Sequence, residues 1–361
     1  MAKNFKSDFQ DIHYLRKKPS FFLKCALSVA EFGYKAIINT KNFLYSIGFS
    51  KEAKMGVQVI CVGNLTTGGV GKTPIVIELA NELSSSRKVA IVSRGYGAKI
   101  SNKKPNIIKD NKGLKFADGR ECGDEPFQIA KKVKQDVVVI TCSNRKKAIE
   151  LAIVKYGINT VVLDDGFSNR KVKKDKIILA IDSKMRFGNE RLLPYGPLRE
   201  PISEIKRADE IILVDKADEK LNDAIIWAKN FNKPLSICRM QPKRIYNLQS
   251  GADIKLNNER AIAFCAIGQS EQFFDFARQF YEIIPVKFDD HYKYSKSDIQ
   301  DLIKIARENN ITTFITTQKD ETKLKELIKN ISNNSFNVLE LKVEIQMIDW
   351  TQRLSLWCFA H

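Results

Sequence analysis

Histidine is scarce in this chain. Only His13, His291 and His361 occur in 361 residues. The seven cysteines, Cys25, Cys61, Cys122, Cys142, Cys238, Cys265 and Cys358, form no Cys-x-x-Cys pair. Together these shortages argue against a zinc site, and the thiols read as buried and free in a reducing compartment. Long apolar runs are missing too. No charge-free window reaches the roughly 18 residues a membrane-spanning helix needs, and no secretory signal with a cleavage site is evident. Acidic residues are outnumbered, Asp+Glu 42 against Lys+Arg 60, for a net charge of +18. Such a field favours anionic partners: nucleic acid, acidic membrane surfaces or phosphorylated substrates. Much of the excess is lysine spread along the chain, which a Lys-rich proteome would also produce. With 43% hydrophobic and 28% charged residues the chain is globular, and its length suits two domains.

What is present begins at Val59. An apolar run, Val59-Ile60-Cys61-Val62, leads into Gly63-Asn64-Leu65 and then Thr66-Thr67-Gly68-Gly69-Val70-Gly71-Lys72-Thr73, followed by a helical pattern over 74–83. This is the order strand, phosphate-cradling loop, helix. Glycines let backbone N–H groups approach phosphate oxygens, Lys72 can reach the β- and γ-phosphates, and the Thr73 hydroxyl can ligate Mg²⁺. Thr66 stands where the usual pattern has glycine. A structural Gly-rich turn is the alternative.

Further strands are expected at 88–93, 136–141, 160–164, 177–182 and 210–215, with helices at 124–134 and 145–156 between them. Alternating strands and helices imply an α/β sheet covered on both faces. A second αβ pattern follows residue 240, with strands at 261–267, 283–288 and 312–316 and helices at 271–281, 295–309 and 321–329. The polar stretch 241–258 reads as a linker, and the charged stretches Lys103-Lys104 and 171–176 as solvated loops. Three divisions follow: 1–50, 51–240 and 241–361. Residues 1–55 hold ten Lys/Arg and four Asp/Glu. Between Pro19 and Phe49, apolar residues alternate with charges as in one or two amphipathic helices, behind the basic flank Arg16-Lys17-Lys18. That composition suits an in-plane membrane anchor; an ordinary helix packed on the domain is the alternative.

Three features narrow the chemistry. Val161-Val162-Leu163 ends in Asp164-Asp165-Gly166, so two carboxylates sit where a strand beside a phosphate loop can hold Mg²⁺; the same Asp residues could cap a turn. In Gly123-Asp124-Glu125-Pro126, Pro126 suits a first helical turn and Asp124 a cap, and Asp124 could also take a proton from a substrate hydroxyl. Asp289-Asp290-His291 follows a strand, where a histidine could orient an Asp base. Arg94 and Arg199 sit in Gly- or Pro-rich loops that suit bidentate phosphate recognition, or equally a structural ion pair.

In this order the stretches VGNLTTGGVGKTP, SRGYG, GDEP, LDDGF, FGNERLLPYGPLREP, AIG, DHYKYS and TTQKD resemble the tetraacyldisaccharide 4'-kinases, the lipid A 4'-kinases of Gram-negative bacteria. The resemblance covers residues 62–320. It implies a P-loop NTPase-like three-layer α/β/α domain, a second, smaller α/β domain, the active-site cleft between them, and an amphipathic N-terminal helix. It also implies transfer of the γ-phosphate of ATP, with Mg²⁺, to the 4'-hydroxyl of a membrane-embedded tetraacyldisaccharide 1-phosphate, forming lipid IVA. The enzyme would then lie at the cytoplasmic face of the inner membrane, peripheral or monotopic. Carried over residue by residue, residues 66–73 would hold the nucleotide, Asp124 would be the base paired with His291, and Asp164 and Asp165 would position Mg²⁺ and the attacking group. Arg94, Glu125, Arg145 and Arg199 would hold substrate or transferred phosphate. The chain departs from the family pattern at Ser168-Asn169, where Gln-His is usual, at Tyr292 and at Gln318.

Rival readings are a P-loop GTPase or switch ATPase, a nucleic-acid-binding ATPase and a catalytically impaired relative. Val214-Asp215-Lys216-Ala217-Asp218 loosely resembles a guanine-reading Asn-Lys-x-Asp motif, but Asp215 lacks the amide. No aromatic-interleaved basic patch supports nucleic acid. The oligomeric state is not legible.

Overall fold

A computed structural model of the chain describes residues 11–117, 119–216, 221–248, 250, 252–254, 259–267, 270–289, 292–317, 320–321, 324 and 336–348. The chain forms two compact units, Met1–Arg239 with Met347–His361, and Met240–Gln346.

The first unit is built around β1 (Gln58–Gly63), a β-branched run buried on both faces. Its neighbours β6 (Thr160–Asp164) and β7 (Lys176–Asp182) both run parallel to it. Beyond β6 lie β2 (Val89–Ser93) and β5 (Val138–Thr141), also parallel. The antiparallel edge strands β3 (Asn106–Asp110) and β4 (Gly113–Leu114) follow. Beyond β7 lie β8 (Glu210–Asp215) and the start of β9 (Leu235–Asn247), both parallel. The strand order therefore reverses beside β1. In such sheets the carboxyl ends of the strands at the switch point make the ligand crevice. Seven parallel strands bring Asn64, Arg94, Asp164, Asp182 and Asp215 to one edge for this reason alone.

Three helices matter for the site. α2 (Lys72–Leu83) follows β1, α3 (Asp124–Lys132) carries the GDEP residues, and α4 (Arg145–Tyr156) starts from an Asn144 side chain that accepts the Lys147 N–H. Before them α1 (Phe21–Ser46) forms one helix of 26 residues, capped by Ser20. Among the described residues no helix is long and apolar enough to cross a membrane. α5 (Leu221–Lys229) packs Ala224 and Ala228 beside Phe187, Leu179 and Leu213.

The second unit has its own parallel core of β12 (Glu282–Lys287), β11 (Arg260–Cys265), β13 (Thr313–Thr317) and β14 (Asn337–Ile348). α6 (Ser270–Arg278) and α7 (Lys296–Glu308) accompany it, with Phe264, Phe274, Phe276 and Phe314 fully buried. The buried Asp320 carboxylate accepts the Ala266 N–H at 3.0 Å and the Thr317 hydroxyl at 2.7 Å, tying together the loops after β11 and β13.

Several expectations change. The supposed linker 241–258 contains most of β9 and the strand β10 (Asp253–Ile254) paired with it; polar residues on a half-covered strand mimic a loop. β3, β4 and β14 were not legible. Within the charged loop 171–176, Val172 is fully buried and bridges to Ala53. Cys25 is exposed on α1, whereas the other described cysteines are buried. Cys358 and most of the expected helix 321–329 lie outside the described residues.

One close approach is decisive for the site. A β-carbon on Gly63 would stand 2.5 Å from the Phe167 Cβ, because the end of β1 lies directly against the turn after β6. Gly63→Ala must push these strands apart. It is expected to destabilise the protein by about 1–3 kcal/mol; thermal unfolding of the variant against the parent measures this.

Candidate active site

β1 releases the chain at Asn64 and α2 receives it at Lys72. Gly71, with φ 98°, makes the turn into the helix in a region where a side chain would clash. Four polar groups meet at this entrance. The Asn64 Oδ1 accepts from the Lys72 ammonium at 3.0 Å and from the Arg199 guanidinium, while its Nδ2 donates to the Thr66 carbonyl at 2.8 Å. Arg199 also donates to the Asn64 carbonyl at 3.1 Å. Its two terminal nitrogens fork onto the two oxygens of Asp165, each at 2.9 Å. The Lys72 Nζ lies 3.7 Å from the same carboxylate. Asp165 has φ 51°, a left-handed kink at the end of β6 that aims its side chain at the loop. A planar fork on a planar carboxylate fixes orientation as well as charge.

The two adjacent carboxylates titrate in opposite directions. Burial would raise the Asp165 pKa, but Lys72 and Arg199 overcome it and hold the group below the usual carboxylate range. Asp164 is buried, and burial pushes it up to about 7; Lys72 and Arg145 offset this only partly, while Asp165 and Glu125 add to it. No donor among the described residues hydrogen-bonds the Asp164 carboxylate. Arg145 is buried at the start of α4, donates to the Cys142 carbonyl at 2.6 Å and leaves its Nε without a partner. Burial lowers its pKa, against the pull of Asp164 and Asp165 and with a further push from Arg94. Arg94 and Glu125 are both exposed and lie within electrostatic range of this group.

The phosphate loop is braced from three sides. Thr67 N–H donates to the Pro197 carbonyl at 2.7 Å, and Thr66 bridges to Leu198. The Tyr14 hydroxyl donates to the Thr67 carbonyl at 3.1 Å. The Lys216 ammonium spans the Asp182 carboxylate at 2.6 Å and the Gly69 carbonyl at 3.1 Å. These contacts, all made by the protein's own groups, fix the shape of the loop. Lys216 belongs to the stretch that resembled a base-reading motif, and the structure gives it to the phosphate loop instead; Ala217 and Asp218 lie outside the described residues.

The structure therefore brings together Lys72, Asp164, Asp165, Arg145 and Arg199, with Thr66, Thr67, Gly68, Gly69, Val70, Gly71 and Thr73 forming the loop and first helical turn. Asp124 is the first residue of α3 and not its cap. Gly123 takes the cap position at φ 96°, where a β-carbon would stand 3.0 Å from the Tyr96 carbonyl. This packs GDEP against SRGYG. His291 and Gln318 lie outside the described residues. Asn64, Tyr14 and Asp182 were not singled out in the sequence, and Lys216 was noticed only for a different role. The only signal for Asn64 and Asp182 was their place just after or at the end of an apolar strand; Lys216 stood out only in a stretch loosely resembling a guanine-reading motif.

Residues 23–356 match the family described as LpxK: Tetraacyldisaccharide-1-P 4'-kinase. A tetraacyldisaccharide 4'-kinase of Halothermothrix orenii is 33% identical over 343 residues, covering 89% of this chain and 88% of that protein. One of Elusimicrobium minutum is 30% identical, with 91% and 90% covered. The crystal structure of LpxK from Aquifex aeolicus in complex with ATP aligns with a TM-score of 0.70 at 31% identity, covering 93% of this chain and 98% of that one. The chain belongs to the tetraacyldisaccharide 4'-kinase family. It is accordingly a kinase, and the GTPase-switch reading is not favoured.

Where this kinase carries Ser168-Asn169 in place of Gln-His, the backbone is still engaged. The Ser168 carbonyl accepts from the Lys41 ammonium at 3.3 Å, and the Asn169 Oδ1 accepts the Lys171 N–H at 3.0 Å. Beside it, Arg207 stacks 4.2 Å over the Phe167 ring and holds the buried Glu200.

Asp164 makes a pH prediction. Its pKa is raised on folding, so its contribution favours the folded state below the unfolded value near 4 and is lost as pH rises toward about 7. In the ligand-free protein, Asp164→Asn is therefore expected to be more stable than the parent. The gain should grow between about pH 4 and 7, level off above, and reach at most about 4 kcal/mol. Urea unfolding across that range tests it; a gain independent of pH would contradict the assignment.

Proposed function

We propose that this kinase transfers the γ-phosphoryl group of ATP to the 4'-hydroxyl of a tetraacyldisaccharide 1-phosphate, yielding lipid IVA. The observation that carries the reading is the joined set Lys72, Asn64, Arg199 and Asp165 at the mouth of a braced phosphate loop. Phosphoryl transfer asks for positioning and charge neutralisation more than for covalent chemistry. Backbone N–H groups at the Gly71–Thr73 entrance to α2 cradle the phosphates, and Lys72 reaches the β- and γ-oxygens.

Thr73 and Asp164 are the residues we assign to Mg²⁺. A buried carboxylate with no donor suits a hard cation. Among the described residues no three His, Cys, Asp or Glu side chains form a cage, which suits an ion that takes one or two carboxylates and completes its shell with phosphate and water. When bound, Mg²⁺ would neutralise charge on the β- and γ-phosphates. Asp165, already committed to Arg199, keeps its charge and orients that guanidinium. Asp124, at the amino end of α3, accepts the 4'-hydroxyl proton. Arg94, Glu125 and Arg145 are the residues we assign to holding the substrate or the transferred phosphate.

The setting we propose is the cytoplasmic face of a bacterial inner membrane, with α1 lying in the interface. Its outward face supports this. Phe21, Phe32 and Phe43 recur every eleven residues, three helical turns, and are 75%, 76% and 60% exposed. Phe22, Val29 and Ile47 extend the same stripe, and the exposed Arg16, Lys17 and Lys18 stand just before the helix. An exposed apolar stripe beside cations fits an anionic lipid surface.

Labelled γ-phosphate should pass from MgATP to the disaccharide 1-phosphate in detergent micelles. Lys72→Ala and Asp124→Ala should each lower that rate by about 10²–10³-fold or more while leaving circular dichroism unchanged. Near-parental turnover in the Asp124 variant would remove it as the base. For the membrane setting, Phe21→Ser, Phe32→Ser and Phe43→Ser combined should weaken co-sedimentation with anionic vesicles by at least about tenfold. Unchanged partitioning would refute the seating of α1.

A further inference from the structure

α1 has a second face, and that face reaches the reaction centre. Only Leu27, Glu31 and Asn42 of the helix are buried, so its protein side is largely polar. Glu31 holds the start of the 191–201 loop: its carboxylate accepts the Leu192 N–H at 2.8 Å and the Arg191 guanidinium at 2.7 Å. Tyr34 holds the end of the loop, its hydroxyl donating to the Arg199 carbonyl at 2.9 Å. Lys41 lies 3.5 Å from the fully buried Glu200 carboxylate, which Arg207 engages from the other side. Between these fixed points stands Arg199, whose guanidinium forks onto Asp165 and reaches Asn64 and, through it, Lys72. A bidentate fork tolerates little displacement of the backbone that carries it. Burial and the neighbouring Glu200 raise the Tyr34 pKa, so its hydroxyl stays a donor.

We infer that Tyr34, supported by Glu31 and Lys41, is a positioning residue for phosphoryl transfer, acting through the Arg199 backbone. The helix that meets the lipid then also sets the geometry at the mouth of the phosphate loop. The inference rests on the kinase reading above for its lipid acceptor, though not for its nucleotide site.

A double-mutant cycle on the full chain tests it, using Tyr34→Phe, Arg199→Ala and the pair. The readouts are the MgATP dissociation constant by calorimetry, kcat and KM in micelles, and co-sedimentation with phosphatidylglycerol vesicles. Tyr34→Phe removes one hydroxyl and keeps the ring. It should weaken MgATP binding or lower kcat by about five- to tenfold, leave the KM for lipid within about twofold, and leave vesicle partitioning unchanged. In the Arg199→Ala background the same substitution should cost less than about twofold. Equal losses in both backgrounds would overturn the inference, since Tyr34 would then act independently of Arg199. So would no loss at all, or a loss confined to the lipid KM. If the parent protein transfers nothing to the lipid, the acceptor reading fails, and the MgATP binding cycle alone decides the role of Tyr34 by the same criteria.

Discussion

The fork of Arg199 onto Asp165 is the interaction on which this site depends. A carboxylate taken partly out of water beside a second carboxylate must be compensated, or it protonates. Arg199 and Lys72 supply that compensation for Asp165 and not for Asp164. One acid therefore stays ionised and committed, while its neighbour is left buried, with no donor among the described residues, and shifted toward neutral pH. That asymmetry between two identical side chains in sequence comes from one kinked residue, Asp165 at φ 51°, which points the second carboxylate toward the loop.

The fork in turn constrains what surrounds it. Arg199 can reach Asp165 only if the 191–201 loop is held, and the loop is held by α1 and by its own bridge between Leu198 and Thr66. β1 and the turn after β6 can sit close enough for Asn64 to join only because Gly63 has no side chain. The phosphate loop then inherits its shape from neighbours distant in sequence: Tyr14, Pro197 and Lys216 each hold one of its backbone groups.

α1 inverts the usual distribution of a surface helix, which turns its apolar stripe inward and its charges outward. Here Glu31, Tyr34 and Lys41 face the protein and phenylalanines face out. Burying Glu31 and half-burying Tyr34 is tolerable because each makes a hydrogen bond at 2.9 Å or closer. The outward stripe finds no partner among the described residues, and a lipid surface is the partner that its composition and adjacent cations fit.

The strands and helices of the parallel core were legible because doubly covered strands are written as unbroken apolar runs, as in Val161-Val162-Leu163, and because helices such as 145–156 keep their period between turn signals. The phosphate loop, with Lys72 and Thr73, was legible for a chemical reason: glycines and a terminal Lys-Thr pair are what backbone contact with phosphate requires. β9 and β3 were hidden because some of their polar residues are buried yet partnered, Lys109 on the Val133 carbonyl, Asp110 on Lys115 and Ser236 on Glu210, and polar residues in a strand resemble a loop. The start of α3 at Asp124 was legible, but the cap belongs to Gly123 and not to Asp124, because a positive φ at Gly123 cannot be seen in the residue type alone. By itself, then, the sequence determined the order of elements, the presence of a phosphate loop and the supply of Asp and Arg residues at strand ends. The tertiary structure decided which of those residues meet. Pairing, burial and titration depend on distances across the strand-order reversal beside β1, where Asn64, Asp165 and Arg199 converge from positions up to 135 residues apart.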